Sequence, residues 1–207
     1  GGVACDLVPA DLPALMEELA EVRSQVTELM PMLLEYPSLQ DRLRTTGILS
    51  PEKARQLGVL GYVGRASNHQ DDLRLDSSYA PYASLTVEVS AYIEGDVAKR
   101  VRVRGDEILV SLGLIETMLN GLPQGPVVVD CPASGKECEG IGLVEGWRGE
   151  TLAYLRLDPE GKVLRYFPRD PSWLNWPALE ELIHGNIVPD FPVCNKSVNG
   201  SYSGHDL

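Results

Sequence analysis

Apolar positions recur at Leu15, Leu19, Val22, Val26, Leu29 and Leu33, in alternating steps of four and three after Asp11 and Pro13. That spacing predicts an amphipathic helix with one buried face, opened at Asp11 and closed at Pro37. Pro31 falls inside the pattern, where it removes one backbone donor and is expected to kink the helix near its end. Ser50-Pro51-Glu52-Lys53 reads as a second helix start and Gly58 as its stop. Gly58, Gly61 and Gly64 then form a glycine-spaced turn where the backbone is expected to approach another element closely. A longer stripe through Val97, Val101, Ile108, Leu112, Ile115, Leu119 and Leu122 predicts a long helix ended by Gly121 and Pro123. Gly105 and Gly113 inside it each cost about 1 kcal/mol relative to alanine, so both are expected at close helix packing.

The second half changes period. Residues 127–129, 141–144, 152–157 and 163–167 are short strand candidates, Asp158-Pro159-Glu160-Gly161 is a turn, and 86–89 is a brief extended piece. A final short helix is expected over 173–184, with His184 compensating its dipole and Gly185 ending it. From Asn186 onward no period remains, so the tail is expected to need an external surface to order it. The fold class is therefore α+β and mainly helical, with a small antiparallel sheet in the C-terminal half. Its parts are 1–123, helical with an irregular charged connection at 64–82; 124–185, the sheet and a short helix; and 186–207, an irregular tail. No internal repeat is visible.

Composition narrows the function classes. With 207 residues, 43% hydrophobic and 23% charged, the chain can bury a core and does not read as disordered. A net charge of −12 has the wrong sign for a broad phosphate-binding surface, which argues against nucleic acid as a partner. No run reaches the roughly 18 apolar residues of a membrane-spanning helix, and the first residues lack a basic-plus-apolar export pattern. Neither membrane insertion nor export is expected. Cys5, Cys131, Cys138 and Cys194 contain no CxxC, and His69, His184 and His205 are far apart. Free thiols are expected, and local spacing builds no metal site.

Several constellations could carry chemistry. The connection at 64–82 crowds Arg65, Asp71, Asp72, Arg74, Asp76, Tyr79 and Tyr82 together. A connection of that length is either functional or a solvated loop with local Asx turns. Arg104 and Glu107 lie three apart on the apolar side of the long helix, as an ion pair or network, or as charges reaching water at the stripe's edge. Gly146-Trp147-Arg148-Gly149-Glu150 is a hairpin turn, and its flanking glycines also suit aiming the Arg148 guanidinium into a cleft. Cys194 is a possible metal ligand or redox thiol, or a bystander in a flexible tail. Spacing alone assembles no catalytic set.

A set of ordered motifs goes further. They are Gly1-Gly2-Val3, Arg44-Thr45-Thr46-Gly47-Ile48-Leu49-Ser50, Gly64-Arg65-Ala66-Ser67, Asp72-Leu73-Arg74 with Asp76, Tyr79 and Tyr82, and Gly95-Asp96 leading to Arg104-Gly105-Asp106-Glu107. After these come Glu145-Gly146-Trp147-Arg148-Gly149-Glu150, Arg169-Asp170-Pro171-Ser172 and Gly185-Asn186-Ile187-Val188-Pro189-Asp190. In this order, over nearly the whole chain, they resemble the large subunit of group 4 nickel–iron hydrogenases of the formate hydrogenlyase type and the quinone-site large subunit of respiratory complex I. The resemblance implies a C-terminal fragment of such an NADH:quinone oxidoreductase-like or formate hydrogenlyase-like subunit, inactive in isolation, helping to form a redox cleft of the quinone type. By the same resemblance Arg148, Arg65, Asp72 and Arg74 are the catalytic candidates lining that cleft. Arg104, Glu107, Asp76, Tyr79, Tyr82 and Glu150 form a supporting network.

Departures from the family pattern qualify this. The family's N-terminal portion, which carries the first nickel-binding cysteines or the quinone contacts, precedes the Gly-Gly-Val step. Hydrogenase relatives end in a DPCxxC ligand pair, whereas Cys194 here is followed by Asn195, Lys196 and Ser197, and Trp147 stands where the family has proline. The resemblance thus implies no cofactor bound by this chain, with Cys194 the single thiol left as a metal-ligand candidate, no nickel–iron site, and an iron–sulfur cluster in a partner. Implied partners are the N-terminal half of the same subunit, an iron–sulfur small subunit and other members of the complex. The assembly is expected on the cytoplasmic face of the membrane as a peripheral complex. An uncovered apolar surface makes a homodimer of the fragment plausible. Competing functions are a non-catalytic scaffold or assembly module and a true nickel hydrogenase subunit.

Overall fold

The computed structural model describes residues 5–123, 125–128 and 130–206. The Gly1-Gly2-Val3 motif and Val129 lie outside the described residues. Helix α1 runs over Leu12–Glu35, with Pro31 inside it. Its half-buried positions are Leu12, Leu15, Met16, Leu19, Arg23, Val26, Met30 and Leu34, and this 3–4 spacing faces α6 (Val97–Asn120). None of its residues is fully buried, and Val22, Leu29 and Leu33 from the expected stripe are exposed. One antiparallel neighbour covers a narrower arc of the helix than the apolar stripe occupies.

Gly105 allows that contact, because a Cβ there would overlap the Met30 thioether. Gly113 has only the Arg23 side chain nearby, at 3.8 Å, so it is not a packing glycine. Pro37 does not close the helical region as expected. It takes the first position of α2 (Pro37–Leu43) after an extended Tyr36, where its missing N–H costs nothing. Ser50 caps α3 (Pro51–Leu57) through its side chain on the Lys53 N–H, and Gly58 ends it at φ 64.

The connection at 64–82 is not irregular throughout and is solvated only in part, with 64–67, 72 and 73 buried and 75–78 exposed. It contains the end of α4 (Gly61–Arg65), α5 (Leu73–Asp76) and the start of a 3-10 turn at Tyr82–Ser84. All five residues of α4 are buried. Residues 86–89 form no strand, although Val87 is buried, and neither do 127–128. Strands β1 (Cys138–Gly146), β2 (Gly149–Leu157) and β3 (Val163–Arg169) make one antiparallel sheet in that order, with Gly146 opposite Gly149 across a two-residue turn. Helix α7 (Ser172–Leu182) follows.

The tail also departs from expectation. It folds into a 3-10 turn (Val188–Asp190), α8 (Phe191–Val198) and α9 (Tyr202–His205), and Cys194, Ser197 and Val198 are buried against the same chain. Their i, i+3, i+4 spacing is one short helical face, which Asn195 and Lys196 obscure in the sequence. The core lies where α3, α4, α6, α7 and α8 meet, around Leu49, Val59, Tyr62, Val103, Leu182 and Val198. The α+β class and the small C-terminal sheet stand as read from the sequence.

Two glycines lock the sheet to this core. Gly61 has φ 60, and a Cβ there would overlap the Arg148 carbonyl; a Cβ at Gly149 (φ 123) would overlap Leu60. Asn175 of α7 accepts from the Leu60 N–H at 2.9 Å and donates to the Arg148 carbonyl at 3.1 Å, bridging the two segments. Gly58 shares the left-handed conformation, but a Cβ there would meet nothing within 4 Å. Gly58→Ala should therefore cost only the backbone penalty of roughly 1–2 kcal/mol, whereas Gly61→Ala adds an overpacking cost of about 1–3 kcal/mol. Urea denaturation of the two variants checks the ordering, and equal losses would contradict the lock.

Candidate functional site

Arg65 closes α4 inside the protein, with its side chain 2% exposed. Its Nε donates to Glu107 Oε1 of α6 at 2.5 Å, and its Nη1 lies 3.6 Å from Asp72 Oδ2 and 3.5 Å from Glu145 Oε1 of β1. Nη1 also donates to the Asp71 carbonyl at 3.4 Å. Asp72 is the N-cap of α5 and accepts the Arg74 N–H at 3.0 Å. The Arg74 guanidinium grips the same carboxylate bidentately along one edge, Nε to Oδ1 at 2.9 Å and Nη2 to Oδ2 at 2.6 Å. Asp76 Oδ2 accepts from the Asp72 N–H, and Tyr79, edge-on to Tyr82, accepts the Glu145 N–H on its hydroxyl.

Two guanidiniums thus face three carboxylates. Burial pushes the Asp72 carboxyl up, but the hydrogen bonds and charge of Arg74 outweigh it and hold the group below its ordinary value. Glu145 behaves oppositely. Burial, reinforced by the Asp72 charge, raises it to about 7 against the pull of the Leu73 N–H, Arg65 and Arg74. Its Oε2 accepts from Leu73 N–H at 3.2 Å, while Oε1 accepts no hydrogen bond. A cleft of about 220 Å³ opens beside it, lined by Leu60, Gly61, Asp71, Asp72, Leu73, Asp76, Glu145 and Glu150. Glu150 is held there by Arg169 of β3.

A second group forms around Tyr62, three residues before Arg65 on α4. The Tyr62 ring stacks on Trp147 at 5.1 Å, and the Arg104 and Arg148 guanidiniums sit 4.8 Å and 4.9 Å from the Trp147 centroid. Arg104 does not pair with Glu107, as its spacing suggested, because Arg65 already occupies that carboxylate. Among the described residues it has no ion-pair partner. Arg148 is directed inward, as the glycine-flanked turn suggested, but to the end of α8, with Nε donating to the Asn199 carbonyl at 2.5 Å. The structure therefore joins Arg65, Asp72, Arg74, Asp76, Glu107 and Tyr79 in one cluster, places Glu150 on the opposite wall of the cleft, and leaves Arg104 and Arg148 in the aromatic group.

Two charged residues were not singled out by sequence reasoning. Glu145 was legible only as part of a motif. Arg100 lies three positions from both Val97 and Val103, so it falls on the buried face of α6, and that position was the available signal. It is fully enclosed and donates to Ser197 Oγ (2.9 Å), the Gly95 carbonyl (2.6 Å) and the Gly47 carbonyl (2.7 Å). Burial lowers its pKa to about 10.

The thiols do not fit a four-thiolate nickel–iron centre. Cys194 is buried beside this guanidinium, both of them 2.9 Å from where a Gly47 Cβ would lie, and a fixed cation repels a metal ion. Cys5 and Cys131 are exposed, Cys138 is half-buried at the start of β1, and among the described residues no group of three His, Cys, Asp or Glu is disposed to hold a metal.

Comparison with known proteins gives a consistent set of relatives. The family model described as respiratory-chain NADH dehydrogenase, 49 Kd subunit, matches residues 1–140. Formate hydrogenlyase subunit 5 of Escherichia coli is 32% identical over 206 residues, covering all of this chain and 36% of that protein. The carbon monoxide-induced hydrogenase of Rhodospirillum rubrum is 32% identical over 204 residues, 96% of this chain and 55% of its own length. The C/D subunit of the NADH-quinone oxidoreductase of Bacteroides fragilis is 33% identical over 192 residues, 92% of this chain and 36% of its own. The chain spans 34% to 55% of the length of the first of these curated relatives.

Breaking a buried pair strands a charge, so Asp72→Asn should lower the unfolding free energy by about 3–5 kcal/mol. Removing the exposed Lys53–Glu181 bridge through Lys53→Ala should cost less than about 1 kcal/mol. Denaturant titration of both variants gives the comparison, and a small loss for Asp72→Asn would show that the cluster is not dry.

Proposed function

The chain belongs to the family of the respiratory-chain NADH dehydrogenase 49 Kd subunit, and from that membership we propose that it forms one wall of a redox cleft in a hydrogenase-like or complex I-like oxidoreductase. In this reading it is the C-terminal part of a large subunit. The cleft is completed by the remainder of that subunit and by an iron–sulfur small subunit, nickel chemistry has been lost, and the electron acceptor is of the quinone type. Among the described residues no helix is long and apolar enough to cross a membrane, which suits a peripheral position on the inner face.

The observation that carries the reading is the Arg65 cluster itself. Burying two guanidiniums and three carboxylates from four separate elements costs more desolvation than an apolar core of the same volume, so stability alone does not favour it. A titratable cluster beside a cleft suits a site where electrons arrive and protons follow. An acceptor gaining electrons develops negative charge. Arg104, without an ion-pair partner among the described residues, and Arg148, held over Trp147, are cations positioned to stabilise that charge at the aromatic edge.

Arg148→Ala in the intact complex should lower turnover about 10²-fold or more, with Arg148→Lys recovering part of it. Unchanged turnover with a folded complex would replace this reading with a scaffold role. Stoichiometric nickel in the purified complex would contradict the loss of hydrogenase chemistry.

A further inference from the structure

The geometry points to Glu145 as a proton-loading site, protonated from water and deprotonated to it through the carboxylate-lined cleft between α5 and the β1–β2 hairpin. Three observations support it independently. First, of the three carboxylates around Arg65, Glu145 is the one without a charge-assisted hydrogen bond: Arg65 Nε is taken by Glu107, and the Nε–Nη2 edge of Arg74 by Asp72. Glu145 Oε1 stands 3.5 Å from Arg65 Nη1, unpartnered, in a side chain only 4% exposed. Second, leaving aside Asp76, which is exposed to solvent, Arg65, Arg74, Asp72, Glu107 and Glu145 carry one excess negative charge when all are ionised, and a single proton cancels it. Asp72 is held ionised by Arg74, so the proton falls to Glu145.

Third, the cleft supplies the route. At about 220 Å³ it has room for several waters, each needing about 30 Å³, and the Asp71, Asp76 and Glu150 carboxylates on its walls are acceptors to which such waters can donate. Asp71, 68% exposed, meets bulk solvent and lies 2.8 Å from Nε2 of the more enclosed His69. The charged groups facing Glu145 are Arg65 from α4, Asp72, Arg74 and Asp76 from α5, Glu107 from α6 and Glu150 from β2, the last neutralised by Arg169 of β3. Among the described residues no three acids are disposed around one ion. An electron arriving nearby adds negative potential and tightens proton binding at Glu145. This coupling rests on the redox reading above, whereas the proton site does not.

The test is a titration of the glutamate carboxyls by ¹³C NMR in the purified protein from pH 4 to 9. One carboxyl should titrate near the value of about 7 that burial and the Asp72 charge impose, and Glu145→Gln should remove that signal. Glu145→Asp should keep a carboxyl titrating in the neutral range, so the question survives a poorly folding Gln variant. Because the folded-state pKa is raised from the ordinary 4.5, the native protein binds this proton more tightly than the unfolded chain. Its contribution to stability is complete below about pH 4.5 and is lost as pH rises through about 7. The Tm of the wild type should therefore fall between pH 5 and 8 more than that of Glu145→Gln. Wild-type carboxyls all titrating below pH 5.5, or a neutral-range signal surviving in Glu145→Gln, would overturn the assignment. A signal near 7 combined with wild-type turnover of the Glu145→Gln complex would leave the proton site standing and remove the redox coupling.

Discussion

The structure depends on the burial of one guanidinium. Arg65 ends a five-residue helix that is far too short to be stable alone and projects into a space where α5, α6 and β1 converge. Left unpaired there it would be untenable, so Asp72, Glu107 and Glu145 must come to it from 7, 42 and 80 positions along the chain. Asp72 is buried as well and shares its charge between Arg74 and Arg65, Glu107 binds the Arg65 Nε, and Glu145 of β1 stands 3.5 Å from the Arg65 Nη1. Arg65 therefore acts as the joint between the helical body and the sheet, and the cleft exists because the joint brings acids from both sides together.

A second buried arginine does the same work for the C-terminal segment. Arg100 makes no ion pair among the described residues and is satisfied by two carbonyls and the Ser197 hydroxyl, so α8 is drawn onto α6 by a hydrogen bond to a fixed charge. That places Asn199 where it accepts from Arg148, and Asn175 and the Gly61–Gly149 contact fix the hairpin turn from the other side. The aromatic group of Tyr62 and Trp147 is thus positioned by elements from both ends of the chain. Its cations and the Arg65 cluster both lie against the same short helix, α4.

What the sequence disclosed divides along physical lines. The two 24-residue helices were legible because a stripe repeated over many turns survives local noise, and the hairpins because alternation and the Asp158–Gly161 turn mark them. The short helices α2, α4, α5 and α9 were not, since four to seven residues hold at most two turns and Pro37 is as good a beginning as an end. Charge pairing was legible in type but not in partner. Arg104 and Glu107 are neighbours in sequence, yet Glu107 binds Arg65 and Arg104 lies over aromatic rings. Cys194 reads as a surface thiol because its polar neighbours hide the buried face of α8. Family membership was legible because it rests on ordered motifs rather than on packing, and the matches to hydrogenase and NADH-quinone oxidoreductase subunits agree with it.

Amide hydrogen exchange on Arg65→Met, which removes the charge and keeps an unbranched apolar stem, probes the joint most directly. If one buried cation joins the two halves, protection should drop together in residues 61–76 and in β1, while α1 and the far end of α6 keep theirs. Undiminished protection in β1 would show that the sheet is held by packing alone, and would contradict the role of Arg65 as the joint.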